Sequence, residues 1–376
     1  MTIYIDVAAA VHGRAGLGRY AESLARALVA KAPGQFALFY NRGRDAHPLA
    51  GLQGVPARTV RAGYKPWRMT IWLGQLAGLG FDRLLPGAGL YHATEHLLMP
   101  LRHVPTVLTV HDLIFRLFPQ HHKRLNYWYL NASMPLYCRR ANAIIAVSQA
   151  TKRDLVQLYH VDPAKITVVY EAAAPHFAPA SPAQVVHVRA RYSLPDRYLL
   201  HVGTIEPRKN LERLLEAIYQ LRKGGEAMHL VVVGSKGWLY EGFFRRLEEL
   251  ALGDAVQLTG YVPDADLPAV YSGATLVAVP FLYEGFGLPV LEAMACRAVP
   301  VATRSGGHEG IIEDGRSGFL VPVGDPRAMA ERLLGLIDDA PLLRRMSAAA
   351  HQRSLAFDWE RSAERLESLL AEWCRA

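Results

Sequence analysis

Short apolar runs alternate along the chain with stretches in which apolar residues recur every three or four positions. The runs predict strands at 3–7, 36–40, 104–110, 143–147 and 166–169 in the first half. In the second half they fall at 198–202, 229–233, 255–259, 276–279, 299–302 and 319–321. Strands that are apolar throughout, rather than at alternate positions, are buried on both faces, as in parallel sheets. Between them lie helical stripes such as Leu211, Leu214, Leu215, Ile218 and Leu221. The alternation predicts an α/β protein with helices on both faces of parallel sheets. Residues 172–182 carry three prolines and can continue neither a strand nor a helix. The break predicts two units, 1–175 and 183–357. Asp358 is the expected cap of a last helix over 359–375, with Leu366, Leu369, Leu370 and Trp373 on its apolar face.

A length of 376 residues, 51% hydrophobic and 20% charged, fits two folded domains better than one. No run approaches the roughly 20 apolar residues of a membrane span. The start Met-Thr-Ile-Tyr-Ile-Asp reads as a strand, not a signal peptide, so a cytoplasmic location is expected. Cys138, Cys296 and Cys374 form no metal or disulfide pattern and are expected to be ordinary thiols. Charge is uneven. Residues 1–180 hold 20 Lys and Arg against 9 Asp and Glu, whereas residues 181–376 hold 22 against 25. The first half is therefore expected to face something anionic, but it carries no nucleic-acid reader motif.

Four places combine polar chemistry with the carboxyl end of an expected strand, the edge where open parallel sheets bind ligands. The first is the glycine-rich loop Gly13-Arg-Ala-Gly16-Leu-Gly18-Arg-Tyr20, which lacks the third glycine of a dinucleotide fingerprint. The second is His111-Asp112, where a histidine can donate a hydrogen bond, shuttle a proton, or simply cap the strand. The third is Gly203-Thr-Ile-Glu206-Pro-Arg208-Lys209-Asn210. Two cations at a helix start oppose the helix dipole, and a diphosphate between them removes the conflict. The fourth is Glu284-Gly-Phe286-Gly287-Leu288-Pro-Val-Leu-Glu292. Pro289 suits a helix start, so the preceding residues are expected to present amides to phosphate and carboxylates to sugar hydroxyls. The spacing does not suit the opposed carboxylates of a glycosidase, and no Asp-x-Asp stands at a strand end to hold a metal.

Together the Glu-x7-Glu segment, the Arg208-Lys209 turn, the first glycine loop and His111-Asp112 resemble the retaining glycosyltransferases of family 4, over essentially the whole chain. The resemblance implies a GT-B fold: two Rossmann-like domains facing across a cleft, with the last helix, 358–376, returning to the first. It assigns His111, Arg208, Lys209 and Glu284 to the reacting centre. Gly16, Gly18, Gly203, Tyr261, Val262, Phe286, Gly287, Leu288 and Glu292 would bind the donor, with Glu292 on the ribose and the Gly260-Tyr261-Val262 loop at the base. The wording around His111 and Glu206 is most like bacterial mannosyltransferases that build surface polysaccharide from GDP-mannose. A UDP-sugar such as UDP-glucose, or a silent sugar-nucleotide-binding subunit, is the alternative. An epimerase or phosphorylase of similar fold accounts less well for the motifs. No metal or other cofactor is expected beyond the nucleotide sugar. Two basic and aromatic segments of the first half, around Trp67 and Arg68 and around Lys123 and Arg124, are expected to touch an anionic membrane or a lipid-linked acceptor.

Overall fold

The computed structural model describes residues 2–43, 46, 47, 49 and 51–373, apart from the side chains of Ala15 and Ala371. Two compact units form. The first takes the chain up to Ala172 together with the segment from Asp358 onward, and the second runs Ala173–Phe357.

The first unit holds one parallel sheet of β1 (Thr2–Asp6), β2 (Phe36–Asn41), β3 (Ala57–Val60), β4 (Ala88–Ala93), β5 (Thr106–Val110), β6 (Ala143–Ala146) and β7 (Ile166–Val168). Their order is β3-β2-β1-β4-β5-β6-β7, so the winding reverses between β1 and β4. β3 and β4 are additional to the apolar runs. β3 is an exposed edge whose Arg58 and Thr59 face solvent. β4 is central but carries buried polar groups that bond to neighbouring strands. Tyr91 donates to Asp6 Oδ2 at 2.5 Å, and His92 Nε2 bonds Thr109 Oγ1 at 2.8 Å.

The expected glycine loop is instead mostly helical. A short helix, Ala8–Val11, follows β1 directly, its start capped where Asp6 Oδ1 accepts from the Ala8 amide at 2.8 Å. Gly13 turns the chain at φ +60°, and Gly16 and Gly18 lie in the first turn of the helix Ala15–Lys31. A Cβ at Gly18 would come within 3.0 Å of the Ala9 carbonyl, so this glycine lets two helical turns approach. Gly16 is exposed and has nothing within 4 Å of such a Cβ.

The last helix, Trp359–Trp373, packs on Ala15–Lys31 within this unit. Lys31 Nζ bonds Glu364 at 2.9 Å, Ser362 donates to the Tyr170 carbonyl at 2.8 Å, and Asp358 Oδ1 accepts from the Glu360 amide at 3.2 Å. Leu366 and Leu370 are buried, while Leu369 and Trp373 are half-buried. Cys374 and Arg375 lie outside the described residues.

The second unit holds β8 (Tyr198–Val202), β9 (His229–Val233), β10 (Val256–Gly260), β11 (Leu276–Val279), β12 (Pro300–Thr303) and β13 (Phe319–Val321). The order β10-β9-β8-β11-β12-β13, again parallel, reverses between β8 and β11. The helix Leu211–Lys223 buries the expected stripe of Leu211, Leu214, Leu215, Ile218 and Leu221. Beyond β8 and β9 the backbones nearly touch. A Cβ at Gly234 would lie 2.1 Å from the Gly203 carbonyl oxygen.

Candidate functional site

Loops leaving β8 and β11, the two strands at the reversal, are laced together by hydrogen bonds to main-chain carbonyls. Leu282 donates its amide to the Arg208 carbonyl at 2.9 Å, and Asn210 Nδ2 donates to the Pro280 carbonyl at 3.1 Å. Asn210 takes a left-handed conformation, φ +54°, between the tight turn Pro207–Lys209 and the helix Leu211–Lys223. The loop from β12 closes on the same place. The Gly307 amide bonds the Glu284 carbonyl at 2.8 Å. Cβ atoms at Gly306 and Gly307 would fall about 2 Å from the Glu284 and Phe286 carbonyls, at 2.0 and 2.1 Å.

This framework brings Arg208, Lys209 and Glu284 together. Lys209 Nζ and Arg208 Nη1 both donate to Glu284 Oε2, at 2.6 and 3.0 Å. Arg208 Nε pairs with Glu206 Oε1 at 2.5 Å. Thus the turn is no solvated basic stretch: Lys209 is 6% exposed, with its ammonium 3.5 Å from the centre of the Phe281 ring. Burial, then the neighbouring Arg208, lowers Lys209 to about 8, against the opposing pull of Glu284. Burial pushes Glu284 up, but Lys209 and Arg208 outweigh it and hold the carboxyl at about 2. Burial raises Glu206 despite the same cations. The protein's own carboxylates therefore settle the conflict of two adjacent cations.

Two histidines that the sequence reading did not single out flank Phe281. Ring centroids of His201 and of His308 each lie 5.7 Å from that of Phe281. His201 Nδ1 donates to the Ala278 carbonyl at 3.1 Å and His308 Nδ1 to the Thr303 carbonyl at 3.0 Å. Burial depresses both, His201 to about 3, so they stay neutral and add no charge beside Lys209. Histidines inside or just beyond apolar strands could have flagged them.

Gly287, φ +117°, begins the helix Leu288–Ala295, with Pro289 in its first turn. A Cβ there would lie 2.7 Å from His308 Cδ2, which fits glycine at this close approach. Phe286 is 4% exposed and packs on Phe357 with centroids 5.9 Å apart, so only its backbone is left for a ligand. Glu292 is 2% exposed and accepts from Tyr271 Oη at 3.0 Å. At the end of β10, Gly260 has φ +71° and Tyr261 is 70% exposed, whereas the Val262 side chain is buried.

In the first unit His111 follows β5 and is 7% exposed. Its Nδ1 lies 2.9 Å from Glu171 Oε1 and its Nε2 2.8 Å from the Thr94 carbonyl. Both partners only accept, so the ring must carry both protons to satisfy them. Burial lowers its pKa, but the bond and charge of Glu171 more than offset this. The geometry gives a fixed imidazolium rather than a free proton shuttle. Asp112 Oδ1 accepts from the Ile114 amide at 3.1 Å, a local turn.

Beside the β1–β4 reversal lies a cluster that the sequence reading missed together with β4. Arg14 Nη1 donates to Glu95 Oε2 at 2.6 Å and to Tyr64 Oη, and Tyr64 donates to the same carboxylate oxygen at 3.1 Å. Asp6 is close enough that burial first, and Glu95 second, raise it to about 7. The signal was the polar triplet Thr94-Glu95-His96 immediately after β4.

Trp67 corrects an expectation. It is 3% exposed, packed in the core against Phe39 and Phe81, because the helix Tyr64–Leu76 turns that face inward. Arg68 is held over the Tyr129 ring at 4.0 Å and bonds Asn126 at 3.3 Å. Lys123 and Arg124 are exposed. Among the described residues no group of three or more His, Cys, Asp or Glu is arranged to hold a metal, and no helix is long and apolar enough to cross a membrane.

Comparison with known proteins gives the same division of the chain. The profile of Glycosyltransferase Family 4 matches residues 14–176, and that of Glycosyl transferases group 1 matches residues 189–353. O-antigen chain mannosyltransferase B of Escherichia coli is 30% identical over 274 residues, 72% of this chain and 71% of that protein. D-inositol 3-phosphate glycosyltransferase of Salinispora tropica is 34% identical over 62% of this chain, which spans about half (51%) of that relative. Among solved structures, Anabaena HepE in complex with UDP and glucose superposes with a TM-score of 0.77 at 19% identity, covering 99% of this chain and 100% of that one. Sucrose-phosphate synthase from Thermosynechococcus elongatus gives 0.78 at 20% identity, with 99% of each chain covered. The chain belongs to glycosyltransferase family 4. Its two parallel-sheet units are the Rossmann-like domains of the GT-B fold.

Proposed function

We propose that the protein transfers mannose from GDP-mannose, with retention at the anomeric carbon, to a glycan or lipid-linked acceptor in surface polysaccharide synthesis. Residues 183–357 take the donor and residues 1–175 the acceptor. The observation that carries the reading is the pair of shielded cations, Arg208 and Lys209, converging on one oxygen of Glu284 where the second sheet reverses. A guanidinium beside an ammonium suits a diphosphate, Arg208 by a forked contact and Lys209 as a point charge. Once they turn to phosphate, Glu284 is released to accept from the hydroxyls of the sugar. Amides of Phe286, Gly287 and Leu288 lie at a helix start, suited to phosphate and sugar oxygens. Glu292 serves the ribose, Gly203 permits close approach, and the backbone of Tyr261 and Val262 meets the base.

In the reaction the bond from the anomeric carbon to the diphosphate oxygen breaks and a bond to the acceptor oxygen forms on the same face. The acceptor's proton passes to the departing diphosphate. Arg208, Lys209 and the helix amides stabilise the charge growing on that leaving group. His111, both ring nitrogens held by Glu171 and the Thr94 carbonyl, stands near the sugar as a fixed group rather than a proton donor. The mannose reading is supported by the Escherichia coli relative, whereas the Anabaena neighbour binds UDP and glucose.

Incubation with GDP-mannose, UDP-glucose, UDP-galactose and UDP-N-acetylglucosamine, followed by chromatography of the freed nucleotide, tests this. Release of GDP alone is expected. UDP release instead replaces the donor, and tight binding without turnover of any member makes the chain a silent subunit.

The same reading places the protein at the cytoplasmic face of a membrane. Met69, Leu73 and Leu76 on one helix, and Leu125 and Trp128 on the helix beside it, are exposed at 42, 55, 57, 87 and 68%. Lys65, Lys123 and Arg124 border them. Sedimentation with phosphatidylglycerol vesicles at low salt is the check, and a protein left in the supernatant removes the membrane contact.

A further inference from the structure

Glu95 stands at the carboxyl end of β4, beside β1, where the first sheet reverses. Its side chain is 3% exposed and its two oxygens are treated unequally. Oε2 receives both Arg14 and Tyr64, while Oε1 is buried without a hydrogen-bond partner among the described residues. A buried carboxylate oxygen with nothing donating to it is costly and asks for a donor. Arg14 is the opposite case. Its bonds to Glu95 and Tyr64 both use Nη1, and its side chain is 34% exposed, so among the described residues Nε and Nη2 have no hydrogen-bond partner. An unfilled acceptor next to unfilled donors matches two neighbouring hydroxyls of a sugar ring.

We infer that Glu95, Arg14 and Tyr64 form the hydroxyl-recognition site for the acceptor sugar, Glu95 Oε1 accepting from one hydroxyl and Arg14 donating to the next. This rests on the transferase reading. The carboxylates of Asp6 and Glu95 are offset by Arg14 and by Arg68, whose guanidinium lies 5.4 Å from the Tyr64 ring centre, and that balance suits neutral hydroxyls. Tyr64, with the guanidinium of Arg14 4.2 Å from its ring centre, holds the donor and acceptor in register.

Glu95→Gln tests the assignment. Glutamine keeps the size and can still accept from Arg14 and Tyr64, but its second atom is now an N–H donor facing a hydroxyl donor. The probes are octyl α-mannoside, β-glucoside, β-galactoside and β-N-acetylglucosaminide, with their monodeoxy analogues. For the octyl glycoside that wild type uses best, KM is expected to rise tenfold or more. Donor hydrolysis without acceptor stays within twofold. One monodeoxy analogue costs wild type about tenfold and costs the variant less than twofold. An acceptor KM within twofold of wild type overturns the inference, as does a parallel fall in donor hydrolysis. So does a wild type that hydrolyses donor yet uses no octyl glycoside. Should E95Q melt below the assay temperature, Arg14→Lys carries the same deoxy comparison. Loss of donor hydrolysis in wild type itself strikes the transferase reading instead.

Discussion

The two sheets reverse their winding at matching points, β1 beside β4 and β8 beside β11, yet a buried group at each is shifted in the opposite direction. In the second unit two cations share one carboxylate oxygen, and Lys209 is driven down to about 8 by burial and then by Arg208. In the first, one guanidinium nitrogen serves a carboxylate that lies near another, and Asp6 is driven up to about 7 by burial and then by Glu95. Each shift has the same two causes with the sign reversed. Topology thus supplies a place for a ligand, and the side chains choose its charge. On the proposed reading one end takes a diphosphate and the other takes neutral hydroxyls.

The largest effect should come from Arg208→Ala. Removing the forked donor takes away charge stabilisation made in the transition state, so kcat should fall by about 10²- to 10³-fold. Initial rates at saturating donor check this, and unchanged turnover would remove Arg208 from the reacting centre. If the two reversal points are independent, the variant's acceptor KM should stay near that of wild type.

Next is Gly234→Ala. Its Cβ would sit 2.1 Å from the Gly203 carbonyl, which forces the ends of β8 and β9 apart. A loss of about 2–3 kcal/mol in urea unfolding is expected. A well-folded variant of unchanged stability would show that the close approach is not needed.

The alkaline limb of the pH profile should be about tenfold per unit. Lys209 has its folded pKa near 8, below the ordinary 10.5, so its charge is lost from the free enzyme as pH rises through about 8. Donor kcat/KM should fall above that pH, and Lys209→Arg should flatten the limb, because a guanidinium stays charged. The same shift means that Lys209 destabilises the fold at neutral pH, a cost relieved between about 8 and 10.5. A limb that persists in the arginine variant would assign it to another group.

The smallest effect belongs to the first unit. Gly16→Ala adds a Cβ with nothing within 4 Å in a helix turn, so stability should rise by about 0.5–1 kcal/mol. Thermal unfolding measures it. A fall would mean that a neighbour crowds the turn, and a loss of activity without a loss of stability would tie its exposed amide to a ligand.

Eleven apolar runs revealed most of the two sheets, because a strand buried on both faces must be apolar at every position. β4 escaped that rule. Its Tyr91 and His92 are polar groups that enter the sheet by bonding to Asp6 and Thr109, distant in the chain. With β4 went Glu95, and with Glu95 the cluster of Arg14 and Tyr64. Trp67 failed for the complementary reason. Composition marks an aromatic residue beside charges as a surface group, but helical phase turns this one into the core and leaves Leu73 and Leu76 outside.

What the sequence determined by itself was local and chemical. Arg208-Lys209 announced a concentration of cations, Glu284 and Glu292 the carboxylates, and Pro289 after Gly287 a helix start. All of these depend on spacings of a few residues, which the chain carries in its order. Only the tertiary structure decided that Glu284 lies under both cations from 75 and 76 positions away and that His111 is clamped by Glu171 from 60. It alone left one oxygen of Glu95 without a donor among the described residues. Those outcomes depend on which loops the crossovers bring to one sheet edge and on how burial sets the sign of each charge, and neither is written in neighbouring residues.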